Sequence, residues 1–361
     1  MLGILLLLLL LAGWLLLTNS DASGCVTAAT STGCQSGYIN ISSSVTSVSS
    51  SAFNGYSVTG VSFDTCSSLT SLSSYSFANN KIASVVWPST LKSIDVGAFY
   101  SNQLTSVDSS KLGKVATLGS STSYGVFQNN YITTVDLNFM NLTSIPANCF
   151  ASNQLHSATL TSKLTSLGQS SFHTNKLTEI NFSGTKISSI GAYSFYSNAI
   201  KSITWSSSIT SLGEGAFKYN YLTSLDMSPL TKLTTVSSSD SHGIFESNYL
   251  EEVTFSKSMV LTTIANRMFI SNKIRSIDLS PLKLTSIGNY AFYDNAITSI
   301  TWSSNITSLG IGAFKYNALT SLDMSPLTKL TTVSSSDSHG IFESNYIHTV
   351  TFSKSMVESW I

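Results

Sequence analysis

Five histidines, His156, His173, His242, His339 and His348, are the side chains able to change charge near neutral pH. Two of them recur in one setting. Asp240-x-His242 is followed by Glu246, and Asp337-x-His339 by Glu343, 97 residues later. Carboxylates and imidazole so spaced could hold a divalent ion weakly, but solvated loop residues are the expected reading. No metal or other cofactor is expected. No HExxH, GxSxG, GxGxxG or phosphate-loop string occurs. The acidic residues are scattered, as at Asp226, Asp278 and Asp323, and form no carboxylate pair for acid–base catalysis. The sequence predicts a protein that is not an enzyme.

The elements that would position any such group repeat. A phenylalanine ladder runs Phe53, Phe77, Phe99, Phe127, Phe150, Phe172, Phe195, Phe217, Phe245, Phe269, Phe292, Phe314 and Phe342, spaced 22 to 28 residues apart. Asn follows three residues after every rung but the first: Asn80, Asn102, Asn130, Asn153, Asn175, Asn198, Asn220, Asn248, Asn272, Asn295, Asn317 and Asn345. Such a period marks a solenoid, in which one repeat cannot bury its apolar face alone but stacked neighbours can. Leu222-x-x-Leu225-x-Met227 reads as a short strand with Leu225 and Met227 inward and Ser224 and Asp226 outward. Stacked copies of it predict a parallel sheet, with the Phe ladder filling the interior. Trp205 and Trp302 fall on the inward alternation and read as core. The Asn side chains are expected to satisfy backbone groups of their own turns.

Residues 196–260 match 293–357 at 57 of 65 positions. The eight differences are Ser197/Asp294, Lys201/Thr298, Ser208/Asn305, Glu214/Ile311, Tyr221/Ala318, Leu250/Ile347, Glu251/His348 and Glu252/Thr349. Three repeats are 28 residues long, and their extra residues, around Tyr124, Asp240–His242 and Asp337–His339, predict surface loops. Those loops are candidate contact sites.

Lys plus Arg and Asp plus Glu are 18 each, so net charge is zero and a nucleic-acid surface is not expected. Residues 1–22 read as a secretory signal peptide, because their apolar run of sixteen residues gives only about 24 Å of helix. An uncleaved signal anchor is the rival reading, and only it would bring a membrane partner. In an oxidising compartment Cys25 and Cys34 are the natural disulfide pair, within an N-terminal cap over 23–40. Cys149 reads as a small core residue, and Cys66 has no obvious partner. Asn40, Asn141, Asn181 and Asn305 open glycosylation sequons. About thirteen repeats are expected over 41–357, followed by a short tail at 358–361 with no recognised cap.

The run Leu212-Gly213-x-x-Ala216-Phe217, with Leu309-Gly310-x-x-Ala313-Phe314 and Ile287-Gly288-x-x-Ala291-Phe292, resembles the BspA-like leucine-rich repeats over about residues 41–357. Family members often carry Cys three residues after Phe, where this chain has Asn. The resemblance implies an α/β-type solenoid: a leucine-rich repeat horseshoe with a parallel β-sheet on its concave face and an irregular or short-helical convex side. It also implies a secreted or cell-surface protein of the adhesion type, with no catalytic residues to transfer. The candidate binding positions on the concave face are Lys201, Ser202, Asp226, Glu251, Glu252, Arg275, Asp278, Thr298, Asp323 and His348. The expected partner is an extracellular protein or glycan. A structural spacer of a cell wall or matrix, self-associating through its C-terminal edge, is the alternative; ice binding by a Thr/Ser face is a lesser one.

Overall fold

The computed structural model describes residues 37–353 apart from 42, 44, 238, 335, 337 and 338. The signal segment, Cys25, Cys34, Asp337 and the 358–361 tail therefore lie outside the described residues. The chain divides into two compact units, residues 1–163 and 164–361.

Both units are built from coils that stack as parallel strands. Thirteen three-residue strands and thirteen two-residue strands are described. In Ser224–Asp226, Leu225 is buried between exposed Ser224 and Asp226, and it sits opposite Val253 of the next coil. Period-two alternation over three residues is all that one coil needs, because neighbouring coils complete the sheet. The two-residue strands, such as Ser189–Ile190, Ser211–Leu212 and Thr235–Val236, form a second parallel row. In the shorter coils they come from the Leu-Thr-Ser-Leu-Gly-type run just before Phe. Gly213 is required there by close coil approach: a Cβ would meet the Ala192 nitrogen at 2.4 Å.

The expected α/β horseshoe with a short-helical side is corrected. Among the described residues the only helical segment is a 3-10 turn, Ser109–Lys111. The backbone around each Phe explains this. The residue two positions after Phe is left-handed in every coil, for example Ser197 at φ 55°, Tyr219 at 57° and Ser271 at 53°. Most coils also have a left-handed residue two positions before it, such as Tyr193 at 56°. A right-handed helix cannot pass through these points. The fold is a parallel β-solenoid.

Those bends aim Phe and Asn inward. In the first unit Phe53, Phe77, Phe99, Phe127 and Phe150 stack with centroids 5.1–6.0 Å apart. In the second, Phe172 through Phe342 stack at 5.1–5.7 Å, with ring planes within 15°. Each such pair adds about 0.5–1.5 kcal/mol beyond simple burial. The Asn amides do more than close their own turns. Asn220 Nδ2 donates to Phe217 O in its own coil at 3.1 Å and to Phe195 O in the preceding coil at 2.9 Å. Its Oδ1 accepts from Ile200 N at 3.0 Å. Asn102, Asn130, Asn153, Asn198, Asn248, Asn272, Asn295, Asn317 and Asn345 repeat this bridge.

In the second unit the three-residue strands pair in twos. Glu179–Asn181 joins Ser202–Thr204, Ser224–Asp226 joins Glu252–Thr254, Ser276–Asp278 joins Ser299–Thr301, and Ser321–Asp323 joins Thr349–Thr351. The first strand of each pair ends in Asn181, Asp226, Asp278 or Asp323, whose side chain accepts the N–H two residues on at 2.8–2.9 Å. The second strand ends in Thr and is followed by Trp205, Phe255, Trp302 or Phe352. Trp205 and Trp302 are buried, at 7% and 5% exposure.

Asn220→Ala strands a buried N–H and two carbonyls at once, and unsatisfied buried groups cost about 1–3 kcal/mol each. The expected loss is about 3 kcal/mol, read as a lowered urea midpoint. Ser224→Ala, on the exposed face, is expected to change stability by less than about 0.5 kcal/mol.

Candidate binding face on the three-residue strands

All ten sequence-predicted face residues, Lys201, Ser202, Asp226, Glu251, Glu252, Arg275, Asp278, Thr298, Asp323 and His348, are exposed. They do not play one role. One carboxylate oxygen of Asp226, Asp278 and Asp323 is spent closing a turn. Hydrogen bonds from Ser325, first from its hydroxyl and then from its backbone, hold Asp323 below the usual carboxylate range. Glu251 pairs with Arg275 at 2.9 Å across adjacent coils. Both are solvated, so the pair adds at most about 1 kcal/mol and serves chiefly to neutralise the carboxylate.

The sequence reading missed a second column beside these residues, four positions after each Phe. There Ala199, Tyr221, Tyr249 and Lys273 occupy successive coils. Backbone bonds from each to the preceding coil set the register, such as Tyr221 N to Ile200 O and Tyr249 N to Leu222 O, both 2.9 Å. Tyr221 and Tyr249 stack at 5.6 Å with planes 13° apart. The Lys273 ammonium lies 4.8 Å from the Tyr249 ring centre. Lys201, Tyr221, Thr223, Tyr249, Glu251 and Lys273 line an open groove of about 350 Å³. Numbering each repeat from its Phe would have revealed this column, since the ladder fixes the register.

The long loops resolve differently from the ion-site alternative. Asp240 accepts from Asn266 Nδ2 at 2.9 Å, while Glu246 turns inward to Lys218 Nζ at 2.9 Å. Glu246 also accepts the Gly243 N–H at 2.8 Å, and Arg267 lies 3.7 Å away. His242 sits 3.1 Å from Lys218 Nζ and packs edge-on against Tyr193. Lys218 thus sits between His242 and Glu246, while Asp240 is held apart from them by Asn266. In the copied loop Lys315 bonds Glu343 at 2.8 Å and His339 packs on Tyr290. The first long coil reproduces the geometry without charge. Gln128 accepts the Gly125 N–H at 2.8 Å, and Tyr124 packs edge-on against Tyr75 and Tyr100.

Other predicted positions are placed as follows. Burial pushes the Cys66 thiol up to about 11, and Cys149 is pushed higher still by full burial. Asn40, Asn141 and Asn181 are exposed and Asn305 is half-buried. Lys163 and Lys329 donate to Asn141 and Asn305, each at 2.7 Å.

Stacked coils, a Phe ladder and bridging polar side chains define a leucine-rich repeat solenoid. The BspA type leucine rich repeat region matches in six copies, over residues 30–125, 120–242 and 238–359, and the chain belongs to that family. No curated protein matches the chain. Among solved structures it is similar to a leucine-rich repeat protein of Bacteroides ovatus, at 15% identity and TM-score 0.49, covering 89% of this chain and 98% of that one. A leucine-rich repeat protein of Eubacterium ventriosum matches at 18% identity and TM-score 0.48, with 86% and 83% covered. A leucine rich cell surface protein of Faecalibacterium prausnitzii matches at 17% and 0.40, with 90% and 87% covered.

Lys218→Met leaves Glu246 buried without its near cation, and breaking such a pair costs about 3–5 kcal/mol. The triple variant Lys218→Tyr, His242→Tyr and Glu246→Gln copies the neutral first loop and is expected to recover most of that loss in chemical denaturation. Glu214 carries a separate pH dependence. The Ser239 hydroxyl, then that of Tyr193, holds its carboxyl below the usual range. Stability from this group is present above the unfolded carboxylate value and lost as pH falls through the lowered one. Glu214→Ile, the residue at position 311 of the copy, is expected to shrink the fall in Tm between about pH 5 and pH 3.

Proposed function

We propose that the protein is a non-catalytic binding module, secreted or held at a cell surface, whose exposed strand face in residues 164–361 contacts an extracellular protein or glycan. One observation carries this reading. Lys201, Tyr221, Tyr249 and Lys273 stand in solvent in fixed register, and the two lysines make no ion pair with any described residue. The stacked phenols, with Lys273 over one of them, are held in place before binding and lose little freedom on it, which favours affinity. Enrichment in Tyr and Arg is also the composition of energetic centres in interfaces.

A second reading is a self-associating spacer built from the repeated coils. Ice binding draws no support: Asp226, Asp278 and Asp323 interrupt the column of Thr204, Thr254, Thr301 and Thr351.

The test is quantitative binding of purified residues 23–361 to the producing cells and to cells of its hosts. It is compared with a variant carrying Glu251→Ser, Glu252→Ser and Arg275→Ser. Asp278 is left in place because its carboxylate closes a turn. Saturable binding that the variant loses is the expected outcome. Absence of saturable binding, with concentration-dependent assembly in light scattering, would favour the spacer.

A further inference from the structure

We infer that the Tyr221 groove is a subsite for a carboxylate-bearing sugar residue, present in the first copy of the duplicated block and erased in the second. The inference rests on the binding-module reading above and narrows its ligand.

Divergence between the copies is concentrated at this groove. Five of its six lining residues have counterparts 97 positions on, and three of those five differ: Lys201/Thr298, Tyr221/Ala318 and Glu251/His348. Only five of the other sixty duplicated positions differ. The ladder Phe and Asn residues of the same coils are unchanged, and the one buried apolar exchange, Leu250/Ile347, is isosteric, so the groove altered more than its scaffold did. Tyr346, the counterpart of Tyr249, is 68% exposed, with Ala318 where Tyr221 would stack.

The groove's chemistry selects an anion with a flat apolar face. Glu251 is already neutralised by Arg275, which leaves the ammonium groups of Lys201 and Lys273 as the uncompensated charge. One face of Tyr221 is covered by Tyr249. The neighbour on the other side is Ala199, whose methyl group is too small to cover the ring, and Tyr221 stays 51% exposed. The C–H face of a pyranose fits against such a phenol. Thr223 and the adjacent Ser202 and Ser224 supply hydroxyl partners, and Lys201 stands beside the stacking position to take a carboxylate. An extended acidic peptide fits less well. The backbone N–H groups of Tyr221, Tyr249, Glu251 and Lys273 are all bonded to neighbouring coils, so no free strand edge is offered for pairing. The volume, about 350 Å³, is that of a small-ligand cleft.

The probes are tetramers of galacturonate, of hyaluronan disaccharide units and of sialic acid, their methyl esters, and hexaglutamate. Each is titrated calorimetrically into the full chain and into Lys201→Thr/Tyr221→Ala. That variant installs residues the second copy already folds with, and far-UV circular dichroism checks it. Tyr131→Ala, an exposed tyrosine in the first unit, is the control. At least one acidic tetramer is expected to bind at one site. Esterification and the double variant are each expected to weaken it at least about tenfold, and the control to leave it unchanged. The inference is overturned if no acidic tetramer binds, if the double variant binds like the unaltered chain, or if hexaglutamate binds more tightly than every sugar. Cell binding by the double variant separates the two readings. If cell binding persists while no sugar binds, only the groove assignment fails. If the unaltered chain shows no saturable cell binding, the wider reading fails whatever the sugars do.

Discussion

Each coil of this solenoid leaves backbone groups facing an apolar interior, and the ladder asparagine is the group that satisfies them. Its amide has the size and polarity this requires, with two donors and an acceptor on one planar group. Asn220 spends them on Phe195 O, Phe217 O and Ile200 N, two of which belong to the coil before it. The stacked phenylalanines contribute burial but little direction. The amide sets distance and register together, because a coil shifted by one residue would leave buried donors and acceptors open. The left-handed residue just before each Asn, such as Tyr219, is the conformational cost of aiming it inward.

Much of this was legible from sequence because the ladder repeats at fixed offsets. The inward set Leu222, Leu225 and Met227 follows from two-residue alternation, and all three are buried. The second strand row was harder to see. Two residues such as Ser211–Leu212 are too short to show a period, and only the neighbouring coils make them a strand. The short-helical side was expected by family resemblance and is absent because of left-handed positions that fall mostly on Ser and Tyr, with fewer on Asn, Gly, Thr, Asp and Arg. Local sequence gives little warning of that conformation at such residues. At the face, exposed positions were readable, but Tyr221, Tyr249 and Lys273 lie one column away and separate coils bring them together.

The three long coils show how one loop geometry tolerates different chemistry. What they share is an acceptor for a glycine N–H: Gln128, Glu246 or Glu343. Once that acceptor is a carboxylate turned into the interior, a cation must come with it, and Lys218 supplies it. The neutral loop has Tyr100 at that place. Glu246 is therefore paired inward with Lys218, which separates that loop from the strand face, where Lys201 and Lys273 make no ion pair with a described residue.

The alternation of Asx-closed and Thr-ended strands gives the second unit a grain finer than the duplication and coarser than the coil. A unit cut from it joins on seamlessly only if it begins and ends on the same kind of coil. An unequal recombination that added one coil or three would set two turns of the same kind side by side. Four coils, the length actually copied, preserve the phase. Within that unit, an insertion of an even number of coils keeps every strand beside a partner of the other kind.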